Sequence, residues 1–265
     1  MNTPSVLQKI IKTKQHEVAR RRQSHPIEQL QRQCESMSAA RDFHAALADR
    51  VARQEPAVIA EFKRASPSAG WIHQHADPAE VAQYYAQGGA ACLSVLTDAE
   101  YFRGSEQDLL DARAACELPV IRKDFIIDPY QVYETRALGA DAILLIVAAL
   151  DDEQLNALSE LAHTLGLAVL VEVHDEPELR RALQVPGQLV GINNRDLHRF
   201  VTDLNTTLQL APMVPGDRLV VSESGIHSHQ DIEQLQVAGI NAFLIGESLM
   251  RQSGQGTALK ALLTG

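Results

Sequence analysis

The chain is poor in the features that define several large classes of protein. It has three cysteines in 265 residues, Cys34, Cys92 and Cys116. They are far apart, odd in number and form no CxxC pair, which argues against a disulfide framework. Cys92 lies in an apolar run and reads as a buried side chain. No stretch approaches the ~20 apolar residues of a membrane span. The opening MNTPSVLQKIIKTKQHEVARRR has no apolar signal core, so the sequence predicts a cytoplasmic protein without a membrane partner. Basic charge is also short, with 24 Lys and Arg against 34 Asp and Glu and a formal net charge of −10. Outside the first helix no strongly basic patch occurs, which argues against a nucleic-acid partner. The run Arg20, Arg21, Arg22 reads as the solvated end of that helix. An acidic chain that takes an anionic ligand must hold it locally, with a few cations and backbone N–H groups. No low-complexity linker divides the sequence.

Apolar material is ample, at 45% of residues. It is arranged in short β-branched runs at 57–62, 91–97, 119–125, 142–148, 168–174, 189–194, 218–224 and 242–248, spaced as βα units. Helical patterns lie between them, at 78–88, 129–138, 152–165, 175–184 and 228–238. Near-continuous apolar strands need cover on both faces, as in parallel sheets. Gly88, Gly139 and Gly239 each end a helical run just before a strand and read as C-caps of an iterated unit. Eight units predict an α/β fold, a closed (β/α)8 TIM barrel. A doubly wound open sheet is the alternative, but the first strand runs into KRASPSAG and lacks GxGxxG. Leu7, Ile10, Ile11 and Val18 recur at helical spacing, predicting a helix packed on the barrel, with more helix near 40–50. Residues 1–265 thus read as one barrel domain, with residues 1–50 a helical extension.

The polar residues fall where barrel chemistry needs them, late in the strands. Glu61 and Lys63 are two apart and share a face. Lys123, Glu172, Asn193 and Glu223 come late in four other runs. One ion pair at a strand end is often structural, whereas convergence from five strands points to a site. The last two strands end at Gly225 and Gly246, each before a short helical pattern. Glycine admits a ligand to the backbone and helix N-termini favour anions, so these loops read as a phosphate site. A purely structural role in tight turns is the alternative. His73 and His75 form HxH without a third ligand and read as a loop pair, not a metal site. Trp71 reads as either a lid element or an anchor, and His174 and His227 as mouth residues or turn caps.

These segments carry a family resemblance. AEFKRASPSAG (60–70), LTDAEYFRGS (96–105), RKDFIID (122–128), GADAILLI (139–146), VEVHDEPEL (171–179), GINNRDL (191–197), SESGI (222–226) and LIGESLM (244–250) together resemble the indole-3-glycerol phosphate synthase family. VLQKIIKTKQHEV (6–18) is similar to that family's N-terminal extension. The resemblance implies ring closure of a carboxyphenylamino-deoxyribulose 5-phosphate with loss of CO2 and water, and implies no metal or organic cofactor. By motif, Lys123 matches the general acid and Glu172 the acid/base of the dehydration. Lys63 matches a second lysine that holds the substrate carboxylate and is implied as proton donor in one step, the division of proton transfers between the two lysines being left open. Glu61, Asn193 and Glu223 match groups that orient the lysines or bind hydroxyls. Ser66, Ser224, Gly225, Gly246 and Glu247 match the phosphate site; Pro67, Phe102, Phe125, Leu144 and Leu197 match the surroundings of the aromatic ring. A phosphorylated small molecule is the implied partner, and association with other pathway enzymes is left open. In some organisms this barrel is fused to a phosphoribosylanthranilate isomerase barrel; here no second set of strands follows, which predicts a monofunctional chain. The alternatives are another phosphate-binding barrel, such as that isomerase, and a catalytically silent barrel that binds a phosphorylated metabolite or a protein.

Overall fold

The computed structural model describes residues 5–196, 199 and 201–265. Eight parallel strands close into a barrel: β1 (Ala57–Phe62), β2 (Cys92–Leu96), β3 (Val120–Lys123), β4 (Ala142–Ile146), β5 (Ala168–Val173), β6 (Leu189–Asn193), β7 (Leu219–Glu223) and β8 (Ala242–Ile245). Each strand pairs with its neighbours in sequence, and β8 returns to β1 with Ala57 opposite Ala242. The open sheet is thereby excluded.

Alternation along each strand builds the barrel interior and orders it from apolar to polar. Ala57, Ile59 and then Glu61 point inward on β1. Leu170 precedes Glu172 on β5, and Val221 precedes Glu223 on β7. The lower interior is thus an apolar plug that includes Ile59, Cys92, Ile121, Leu170, Leu189 and Val221. The outward residues Val58, Ala60 and Phe62 pack beneath the surrounding helices. Polar side chains collect at the C-terminal rim.

Three helices precede the barrel: α1 (Ser5–Ser24), α2 (Ile27–Ser36) and α3 (Phe43–Ala52). The sequence reading did not foresee α2. Phe43 and Leu47 of α3 seal the lower end, where Cys92 Sγ lies 3.6 Å from the Phe43 carbonyl. The helices between strands are α4 (Pro78–Gly88), α5 (Ala99–Phe102), α6 (Glu106–Ala115), α7 (Pro129–Ala137), α8 (Asp152–Thr164), α9 (Glu176–Ala182), α10 (Asn205–Leu210) and α11 (His229–Val237). After β8 come α12 (Glu247–Met250) and α13 (Gln255–Thr264).

Sequence explains the helix starts. Asp77, Asp98, Asp128, Asp151 and Asp175 each accept a backbone N–H as N-cap, and proline follows the first and third of these. Gly139 and Gly239 end their helices as left-handed residues, φ 83° and 82°, one position after the C-caps Leu138 and Ala238. The C-cap expectation fails at Gly88, where the cap is Gly89 at φ 96°. Gly88 remains helical because a Cβ there would lie 2.6 Å from the Gly256 carbonyl oxygen, so it serves the packing of α4 on α13. Among the described residues no helix is long and apolar enough to cross a membrane.

Candidate active site

The upper end of the barrel holds a cavity of about 170 Å³ whose walls include Glu61, Lys63, Lys123, Glu172, Asn193 and Glu223. All six groups expected to converge from five strands therefore do so. A wider, open groove of about 1420 Å³ lies beside it and shares Asn193 and Arg195. The chemistry belongs to the smaller cavity, because there the buried ionisable groups face one another.

The contacts are tight. Lys123 Nζ lies 2.8 Å from Glu172 Oε2 and 3.3 Å from Glu223 Oε2. Lys63 Nζ donates to Glu61 Oε1 at 2.6 Å. Asn193 Nδ2 donates to Glu172 Oε1 at 3.2 Å, while the Asn193 amide oxygen accepts the Arg195 N–H at 3.0 Å, which fixes the amide orientation. Glu61, Glu172 and Glu223 are buried. Glu223 Oε1 is buried with no hydrogen-bond partner among the described residues.

The electrostatics follow from this clustering. Burial disfavours the Lys123 ammonium, but Glu172, Glu223 and Glu61 outweigh that and hold its pKa above the usual lysine range. At Lys123 the balance left open by sequence is won by the carboxylates. Burial raises Glu172, yet Lys123 and His174 reverse this and keep it well below the usual carboxylate range. Glu223 moves the other way, to about 8. Burial pushes it up, Lys123 opposes, and the neighbouring Glu172 and Glu61 charges add to the rise. The resting site thus pairs a full cation with a full anion and keeps a third carboxyl ready to hold a proton near neutrality.

One wall of the cavity is apolar. Pro67, Phe102, Phe125 and Leu144 line it, with the two phenyl rings 6.1 Å apart. Leu197 lies outside the described residues. Ser66 and Ser224 also line the cavity. Gly225 and Gly246 follow in the adjoining loops and Glu247 opens α12, all three outside that lining. Ser224 and Gly225 both have left-handed backbone, φ 66° and 83°, and Asn194 Nδ2 holds the Ser224 carbonyl at 3.0 Å. Gly246 has φ −130°, so no turn demands glycine there. Its Cβ position is taken by Glu61, whose own Cβ would lie 2.9 Å away. The Glu247 carboxylate turns to Arg251 at 2.7 Å and Arg195 at 3.5 Å.

Several contributors were missed from sequence or, for His174, left between two readings, a mouth residue or a turn cap. His174 is partly exposed, at 11% of its side chain, with Nε2 3.3 Å from Glu172 Oε1 and Nδ1 3.0 Å from Glu178 Oε2. Burial disfavours its charge, but the two carboxylates raise its pKa to about 10, so the imidazole is a cation beside the Glu172–Lys123 pair. Arg195 lines the cavity and donates to Ser68 at 2.9 Å. It sits within the GINNRDL segment, and that position was its signal. Gly191 interrupts an apolar strand because a Cβ would lie 2.1 Å from Glu223 Oε1. Val6, Leu7 and Ile10 of α1 complete the apolar wall, so the extension forms part of the site. Trp71, half exposed in a two-residue hairpin strand (Gly70–Trp71), lies outside the cavity lining. Among the described residues no group of three or more His, Cys, Asp and Glu could hold a metal ion.

Comparison with known proteins agrees with this geometry. A family model described as "Indole-3-glycerol phosphate synthase" matches residues 7–262. A protein of that name from Acidithiobacillus ferrooxidans is 54% identical over 257 residues, covering 97% of this chain and 98% of the relative. One from Variovorax paradoxus is 50% identical over 263 residues, covering 98% and 99%. Among solved structures, the tryptophan synthase alpha subunit from Legionella pneumophila superposes with a TM-score of 0.60 over 83% of this chain and 96% of that one. At 13% identity that likeness speaks for the barrel alone.

Proposed function

The chain belongs to the indole-3-glycerol phosphate synthase family, and on that premise we propose how its barrel performs the reaction. The substrate is 1-(2-carboxyphenylamino)-1-deoxyribulose 5-phosphate. Ring closure, decarboxylation and dehydration give indole-3-glycerol phosphate, a step of tryptophan biosynthesis. The aromatic ring lies against Phe102, Phe125, Pro67 and Leu144. The phosphate is held by Ser66, Ser224 and the backbone of Gly225, Gly246 and Glu247. Anchoring both ends folds the flexible sugar chain onto the ring and supplies the orientation that ring closure needs.

The ring carbon bearing the carboxylate attacks the C2 carbonyl. Lys123 donates its proton to the developing alkoxide, which a positioned ammonium stabilises most at that moment. Lys63, steered by Glu61, holds the substrate carboxylate until CO2 leaves and the ring regains aromaticity. In the dehydration the C2 hydroxyl leaves as water with a proton from Lys63, while Glu172 takes a proton from C1 as the C1–C2 double bond forms, its orientation set by Asn193 and His174. Glu223, with one buried oxygen unpartnered, receives a substrate hydroxyl. The observation that carries this reading is the 2.8 Å Lys123–Glu172 pair inside a cavity with one apolar wall. The same reading makes residues 1–265 one cytoplasmic barrel domain, with residues 1–50 its extension.

The test is the fluorescence of indole product formed from the carboxyphenylamino sugar phosphate in the presence of a chelator. Product at an undiminished rate is the expected result. Substrate binding without turnover would favour the silent barrel and overturn the proposal.

A further inference from the structure

Lys14 of α1 is buried, although it belongs to a helix outside the barrel. A buried ammonium is costly unless fully paired. Its Nζ lies 2.9 Å from Glu17 Oε2, 2.8 Å from Asp98 Oδ2 and 3.0 Å from Asp124 Oδ1. Glu17 is a neighbour on the same helix. The two aspartates come from different loops, after β2 and after β3.

Each aspartate also holds an aromatic segment. Asp98 Oδ1 accepts the N–H groups of Tyr101 at 2.6 Å and Phe102 at 3.1 Å, and so caps α5. Asp124 Oδ1 accepts the Phe125 N–H at 2.8 Å, while its Oδ2 accepts from the Thr97 hydroxyl at 2.6 Å. Phe102 and Phe125 are the ring pair of the apolar wall. Leu7 and Ile10, seven and four residues before Lys14 on the same helix face, enter that wall as well.

We propose that Lys14 is a positioning residue for the aromatic end of the substrate. Its ammonium ties the Asp98 and Asp124 loops together, which fixes the separation of the Phe102 and Phe125 rings and seats α1 against them. This inference rests on the function proposed above and adds to it a residue that touches neither substrate nor reacting atoms. An anchor serving stability alone would leave the ring pocket's affinity unchanged in any variant that folds.

The experiment compares wild type, Lys14→Met and the triple variant Lys14→Met/Asp98→Asn/Asp124→Asn. In the triple variant the amide oxygens keep the N–H contacts, neither aspartate is left charged without Lys14, and Arg122, which loses Asp124 at 3.4 Å, keeps Glu134 at 2.8 Å. It therefore serves if Lys14→Met alone does not fold. For the folded variant, KM should rise about 10-fold with kcat within about 3-fold of wild type, the pattern of lost uniform binding. Equilibrium titration with 2-aminobenzoate, which needs no turnover, should weaken in parallel, and competitive inhibition by inorganic phosphate should not change. Unchanged KM and unchanged 2-aminobenzoate affinity in a folded variant would overturn the role of Lys14. Absence of indole product from wild type would instead sink the proposed function, leaving the 2-aminobenzoate titration to judge Lys14.

Discussion

Replacing Lys123 by methionine removes the group on which the proposed chemistry turns. Methionine keeps much of the side-chain volume but takes away the ammonium 2.8 Å from Glu172 and 3.3 Å from Glu223. A positioned general acid contributes about 10²–10⁴ in rate, so kcat should fall at least ~100-fold, or roughly 2.7 kcal/mol of transition-state stabilisation. Stability should suffer less than the chemistry. Breaking a buried pair costs about 3–5 kcal/mol when the remaining charge has no outlet. Here Glu223 already titrates near 8. Without Lys123 it rises further and sits neutral at pH 7, leaving Glu172 to Asn193 and His174. The loss should therefore stay below that range, near 1–2 kcal/mol, or a fall of a few degrees in Tm. Indole fluorescence reports the rate and a thermal melt reports the fold. A well-folded Lys123→Met enzyme with activity within a few-fold of wild type would refute the assignment of the acid.

Other outcomes follow from the same geometry. Glu172→Gln should depress kcat at least ~100-fold in the same assay. His174→Asn should lower kcat about 5–20-fold, an order-of-magnitude figure for a lost orienting partner. It should also move the acid limb of the kcat–pH profile upward, since a cation that depresses Glu172 is gone; an unmoved limb would deny the link. The Glu223 pKa is raised in the folded protein to about 8, against the ordinary 4.5 of a glutamate. Between those values the unfolded chain binds fewer protons than the folded one, so this group makes stability fall as pH rises from 4.5 to 8. Glu223→Gln should accordingly show a flatter Tm–pH curve over that window. Gly246→Ala forces a Cβ to 2.9 Å from the Glu61 Cβ, which side-chain rotation cannot relieve. It should cost about 1–3 kcal/mol by overpacking and lower activity by displacing the Glu61–Lys63 pair.

The barrel was legible because its information is local. Apolar runs, Asp caps and helix lengths are written within each unit, and the polar residues at strand ends announce the rim. Their late position in the strands of a closed barrel brought Glu61, Glu172 and Glu223 to one mouth. What stayed hidden depends on pairs distant in sequence. Leu7 and Ile10 showed only that α1 has an apolar face, since periodicity does not say that the face meets a substrate cavity. Lys14 was not singled out because its partners, Asp98 and Asp124, are more than eighty residues away. His174 was ambiguous because the role of an imidazole is set by what flanks each nitrogen, here Glu172 and Glu178. Gly246 read as a place for ligand or turn, whereas its missing Cβ makes room for Glu61. The proline-bearing loop of KRASPS was legible as a motif, but not its two-residue antiparallel pairing of Ala65–Ser66 with Gly70–Trp71.

The most direct test of the proposed site is a crystal structure with the reduced substrate analogue, in which a C2 hydroxyl replaces the carbonyl. That hydroxyl should lie within hydrogen-bonding distance of Lys123 Nζ, with the ring against Phe102 and Phe125 and the phosphate at the Ser66, Ser224 and Gly225 side of the mouth. An analogue seated in the outer groove, with its ring away from the phenylalanines and C2 out of reach of both Lys123 and Glu172, would contradict the account.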